Sequence, residues 1–148
     1  MTRTCAAAAT AALLAVSAYA QDPASDSRAV EAVVRTAYVE GVHAKPSGAA
    51  MRQGFHPDFR MFTLREGALT TVTLDDWAAR IDKAAAERKG PGPEVKAEFT
   101  RIDVTGNAAV AQVQLHRGGK HVFTDFLSLY RFPDGWKIVG KIFHAHGN

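Results

Sequence analysis

At Lys89-Gly-Pro-Gly-Pro93 the spacing of apolar residues changes from the 3.6-residue period of a helix to the two-residue period of a strand. Prolines and glycines in that density cannot continue a helix, so the segment is a boundary. Helical patterning before it and four successive strand patterns after it restrict the chain to the α+β class. Three N-terminal helices are expected on one face of a strongly curved antiparallel sheet.

Upstream, Val30, Val33, Val34, Ala37, Tyr38 and Gly41 share one helical face, and Glu31 with Arg35 forms a favourable i,i+4 pair. Pro46-Ser47 opens a short second helix with Ser47 as N-cap, Met51 and Phe55 turned inward, and Gly54 as its stop. Pro57 excludes His56 from helical geometry and places it at a bend. A strand from Arg60 to Arg65 and a partner around Leu69 to Val72 flank the turn Glu66-Gly67. Thr73-Leu-Asp-Asp76 reads as a capping box, and Leu74, Trp77, Ala78, Ile81 and Ala85 give the apolar face of a third helix.

Downstream, strands run from about Val95 to Val104, Ala108 to His116, His121 to Phe132 and Trp136 to Ala145. Gly106-Asn107, Gly118-Gly119 and Asp134-Gly135 are the turns between them. With Asp134 and Gly135 as the two loop residues of the last hairpin, Leu129 faces Gly140, Leu127 faces Ile142, Asp125 faces His144 and Phe123 faces His146. That register puts Asp125, His144 and His146 on an apolar face with Phe123 and Ile142. It puts Lys141 on the opposite face, near Ser128, with Phe126, Tyr130, Val139 and Phe143.

The N-terminus carries Arg3, a small apolar run from Cys5 to Val16, and Ala18-Tyr-Ala20. This has the form of a secretory signal peptide, residues 1–20, followed by a polar leader, residues 21–27, and one domain, residues 28–148. The apolar run is too short for a membrane anchor, and a secreted or periplasmic protein is expected. Its removal takes away Cys5, the single cysteine, and with it disulfides, thiolate chemistry and cysteine metal sites. About 128 residues remain, enough for one domain. The formal charge falls from +3 to +2 when Arg3 is lost, with no basic stripe of the kind a nucleic-acid binder needs.

Five segments carry a resemblance: Thr36-Ala-Tyr-Val-Glu-Gly-Val42, Phe55-His-Pro-Asp-Phe59, Ile102-Asp-Val-Thr-Gly-Asn-Ala-Ala-Val-Ala111, Phe123-Thr-Asp-Phe-Leu-Ser-Leu129 and Trp136-Lys-Ile-Val-Gly-Lys-Ile-Phe-His144. In this order they resemble the lumazine-binding family of the nuclear transport factor 2-like superfamily, over nearly all of the chain beyond the signal. The chain departs from the family's usual residues at Gly140, where asparagine is common, and at Phe126, where tyrosine is common. The resemblance implies a cone of helices against a bent sheet, a cavity at its open end, a small apolar or heteroaromatic ligand, and a homodimer through the outer face of the sheet.

Enzymes of that superfamily place an Asp or His inside the cone as general acid or base, which makes Asp125 and His144 the candidate catalytic pair. A satisfied buried pair without chemistry is the alternative. Tyr38, on the helix that lines the cavity in this superfamily, and His56, near its mouth, are candidate polar contacts. Phe55, Trp77, Phe123 and Ile142 are candidate apolar contacts. His144 and His146 with Asp125 make up the ligand set of a facial-triad metal site, but without the spacing of a fourth ligand neither a metal nor a cofactor is expected. His43, His116 and His121 flank turns and are expected in solvent. The expectation is an exported ligand-binding domain. A proton-transfer enzyme of isomerase, dehydratase or cyclase type and a non-catalytic dimeric interaction module are the alternatives.

Overall fold

The computed structural model describes residues 23–147, so the expected signal peptide lies outside the described residues. Helix α1 (Pro23–Val33) includes most of the expected polar leader, with proline at a first-turn position where its missing N–H costs nothing. It continues as a π-helix, Val34–Ala44, closed by Lys45 N–H donating to the Glu40 carbonyl. A ladder of i→i+5 bonds brings residues five apart onto one side. The inward face therefore widens beyond Ala37 and Tyr38 to take in Val39, Val42 and His43.

Helix α2 (Gly48–Gly54) starts at Ser47, whose hydroxyl accepts the Ala50 N–H at 3.2 Å. Gly54 does more than end the helix, because a Cβ there would lie 2.4 Å from the Ala37 Cβ. That glycine lets the two helices pack closely, and Gly41 does the same where a Cβ would lie 3.4 Å from the Ala50 Cβ. Helix α3 (Leu74–Glu87) is capped by Thr73, which accepts the Asp76 N–H at 3.1 Å as the capping box predicts.

The strands are β1 (Phe55–Arg65), β2 (Ala68–Thr73), β3 (Val95–Thr105), β4 (Ala108–Arg117), β5 (Lys120–Phe132) and β6 (Gly135–Ala145). They form one six-stranded sheet in the order β2-β1-β6-β5-β4-β3. Neighbours are antiparallel except β1 and β6, whose parallel pairing joins the small hairpin to the four-stranded meander. That parallel pair makes the sheet mixed, where an antiparallel one was expected. Glu66 and Gly67, both at positive φ, make the β1–β2 turn.

The helices cover one face of the sheet. Val30, Val34, Met51, Phe55, Phe59, Val113, Leu115, Leu127, Leu129 and Ile138 fill the space between. Each such fully buried side chain contributes roughly 1.5–3 kcal/mol of transfer free energy.

The register of the β5–β6 hairpin differs from the expected one in two ways, with different consequences. The loop residues are Pro133 and Asp134, and Phe132 pairs with Gly135, so the turn sits one residue earlier on each strand. This slides both strands together and leaves Leu129 and Ile138 facing inward. The pairing then shifts between Leu129↔Ile138 and Ser128↔Gly140, leaving Val139 as an extra residue on β6. A single-residue bulge reverses which side chains of the bulged strand face the core. Beyond it Lys141 opposes Leu127 and Phe143 opposes Asp125, both turned inward, while Ile142 and His144 face outward.

Candidate functional site

At one end of the interface between helices and sheet lies a cavity of about 220 Å³, lined chiefly by Tyr38 and His43 of the π-helix, Trp77 of α3, Arg117 of β4, Phe123 of β5, and Lys141 and Phe143 of β6. Val42, Met61 and Ile81 complete the wall. The π-helix brings Tyr38 and His43 together five residues apart, with rings edge to face at 4.9 Å. The β6 bulge turns Lys141 and Phe143 in from the other side. Two irregular elements of the fold, the π-helix and the bulged β6, therefore help build the site.

Beneath the cavity Asp125 is completely buried and Lys141 is 5 % exposed. Tyr38 donates its hydroxyl to Asp125 Oδ2 at 2.6 Å, and Lys141 Nζ lies 2.7 Å from Asp125 Oδ1. The second contact is a charge contact set off the hydrogen-bonding direction. Lys141 Nζ also sits 3.9 Å from the centre of the Phe143 ring, 5.4 Å from that of Tyr38 and 5.9 Å from that of Trp77. An ammonium over aromatic faces is stabilised electrostatically. Asp125 thus holds Tyr38 and Lys141 in place from behind, and those two present the polar surface to the cavity.

Burial raises the Tyr38 hydroxyl well above its ordinary value, and the Asp125 charge adds to the rise. The phenol stays protonated as a donor. Burial lowers the Lys141 ammonium from its ordinary value, against the opposing pull of Asp125. His43 is pushed down to about 3 by burial first and then by the Arg117 and Lys141 charges. It is a neutral imidazole at physiological pH.

Of the residues singled out from the sequence, Tyr38, Trp77 and Phe123 line the cavity. Asp125 adjoins it from below. Phe55 is buried in an aromatic cluster, edge to face with Phe59 at 4.8 Å and with Trp77 at 5.7 Å, and so supports the cavity wall without forming it. His56 lies in β1, accepts the Asp58 N–H on Nδ1 at 3.1 Å, and stacks on Phe132 at 4.6 Å, away from the cavity. Ile142 is 56 % exposed on the outer face.

The expected Asp125–His144 pairing is corrected: Thr124 faces His144, and the ionic partner of Asp125 is Lys141, which was expected on the opposite face. The same bulge separates Asp125, inside, from His144 and His146. Those two imidazoles instead extend a row with His116 and His121, in which His121 and His146 approach to 3.8 Å between ring centres. His43, expected in solvent, is 8 % exposed and part of the cavity wall. Arg117, Lys141 and Phe143 were not anticipated. Lys141 and Phe143 were hidden by the bulge, and His43 by the assumption of an α-helical period.

A family model described as "Putative lumazine-binding" matches residues 25–144. Among solved structures, an NTF2-like protein of unknown function from Shewanella baltica OS155 is 28 % identical, with a TM-score of 0.71 over 86 % of this chain and 99 % of its own. A second, from Methylobacillus flagellatus KT, is 26 % identical with a TM-score of 0.65 over 83 % of this chain and 94 % of its own. A third, from Silicibacter pomeroyi DSS-3, is 21 % identical with a TM-score of 0.70 over 85 % of this chain and its entire length, and shows the fold alone. No curated protein matches the sequence. The fold is nuclear transport factor 2-like, a scaffold that carries many unrelated functions, so function rests on the site.

Proposed function

This chain belongs to the family described as "Putative lumazine-binding", and on that premise we propose that it is an exported domain that binds a small, flat, largely apolar or heteroaromatic ligand in the cavity beside Tyr38 and Lys141. One observation carries the reading: a cavity of about 220 Å³ has aromatic walls of Trp77, Phe123 and Phe143 and a polar floor of Tyr38 and Lys141, braced by Asp125. Apolar walls with a few fixed polar groups are the usual make-up of a small-molecule site. The flat rings suit stacking, and the floor supplies one neutral donor and one cation. Export is inferred from the N-terminal sequence.

Thermal melting with lumazine as probe tests the reading. A saturable rise in Tm that is lost in Trp77→Ala, while that variant still melts cooperatively, is the expected result. No rise with lumazine, together with native mass spectrometry of protein from its own host showing no bound small molecule, would count against a ligand cavity.

The proton-transfer reading has one observation in its favour, the buried Tyr38–Asp125 hydrogen bond. In that reading the acting groups are Tyr38 and Lys141 with Asp125 behind them, and His144 on the outer face takes no part. The outer face also exposes Val110, Phe126, Tyr130 and Ile142 on three adjacent strands. Burial of this patch against a second copy is the proposed basis of a homodimer.

A further inference from the structure

Charge is unevenly balanced around the cavity. Lys141 is neutralised by Asp125 at 2.7 Å. Arg117 has no acidic partner among the described residues. Its contacts are the His43 Nδ1, at 2.5 Å, and the Phe123 ring, 5.9 Å from the guanidinium carbon. Counting Lys141, Arg117 and Asp125, the site holds two cations and one anion, so one positive charge remains at Arg117.

The Arg117–His43 contact also fixes the imidazole. A guanidinium has donors only, so Nδ1 must accept and carries no proton. His43 is neutral, so the proton is on Nε2. That Nε2–H is buried and has no hydrogen-bond partner. An unused buried donor is costly. The cavity wall therefore combines an unneutralised guanidinium with spare donors and three aromatic rings, while the unused N–H of His43 lies behind the wall with no surface open to a ligand.

Resting on the ligand-cavity reading above, we propose that the site selects an aromatic or heteroaromatic ring bearing an anionic oxygen group, a carboxylate or ring-oxide class, that docks on Arg117 while the ring lies among Trp77, Phe123 and Phe143. Guanidinium and carboxylate match as parallel donor and acceptor pairs, and such charge-assisted bonds are stronger than neutral ones. Asp125, by occupying Lys141, leaves Arg117 as the cation that reads the ligand's charge.

Calorimetric titration at neutral pH with 2-naphthoate and 2-naphthamide tests this, since the two differ little in shape and differ in charge. The expected result is about tenfold or tighter binding of naphthoate, with the preference reduced to about twofold or less in Arg117→Met. Equal affinity for the two probes in the wild-type protein, a comparison that needs no variant, overturns the proposal and leaves the ligand cavity standing. A preference that survives in folded Arg117→Met overturns the role of Arg117. If neither probe binds while lumazine gives its saturable rise in Tm, this inference is overturned and the ligand cavity stands; if lumazine fails as well, both fall.

Discussion

His43 shows how one side chain couples packing to pH. Its folded value of about 3 lies below the ordinary 6.5, so between those limits the unfolded chain binds a proton that the folded chain refuses. Its contribution to stability is full above pH 6.5 and is lost as pH falls toward 3, at about 1.4 kcal/mol per pH unit. Urea unfolding from pH 7 to pH 4 checks this: His43→Asn, which keeps an acceptor for Arg117, is expected to flatten the pH dependence, and an unchanged slope would refute the assignment. The Asp125–Lys141 pair makes a second residue-level prediction. Lys141→Met leaves a buried carboxylate without its cation and is expected to cost about 3–5 kcal/mol, whereas Asp125→Asn with Lys141→Met is expected to recover most of that loss. A loss in the double variant equal to the sum of the losses in Lys141→Met and Asp125→Asn would show that the pair is not coupled. Asp125 was legible in the sequence as a lone acid on an apolar strand face, and Tyr38 as a phenol on an apolar helix face. Lys141 was not, because a lysine flanked by Gly140 and Ile142 reads as the solvent side of an alternating strand.

At the scale of elements, caps, turns and periods were readable because their causes are local. Ser47 and Thr73 cap helices, Glu66-Gly67 makes a tight turn, and the change of period at Lys89 to Pro93 separates helices from meander. The π-helix and the β6 bulge were not readable, because neither carries a compositional mark and each is specified by packing on the rest of the fold. Phe132 pairing with Gly135 moved the turn, which changed the partners and left the facing of side chains intact; Val139 changed the facing. Deleting Val139 removes the extra residue and leaves Lys141 opposite Leu127 and Phe143 opposite Asp125, so Lys141 and Phe143 are expected to stay inward on a now regular strand and Asp125 to keep its cation. Cooperative melting with probe binding retained is the expected outcome, while a folded deletion variant that has lost probe binding would contradict the assignment of Val139 as the extra residue.

The molecule as a whole has a helix-covered face with a cavity and an opposite face with exposed apolar side chains. The exposed Phe126 and Ile142 oppose each other across β5 and β6, with Val110 and Tyr130 nearby on the same face. The proposed homodimer predicts that the parent gives a dimer by light scattering and that Phe126→Glu with Ile142→Glu gives a monomer, without altering probe binding on the other face. The α+β architecture was legible because patterning sums over many residues, but the division of labour between the two faces depended on the bulge. The most direct test of the central claim is a map of amide and side-chain chemical shifts during titration with lumazine. Saturable shifts confined to Tyr38, His43, Trp77, Phe123 and Lys141, with His144 and Ile142 unmoved, are the predicted result. Shifts centred on His144 and Ile142, or none that saturate, would contradict it.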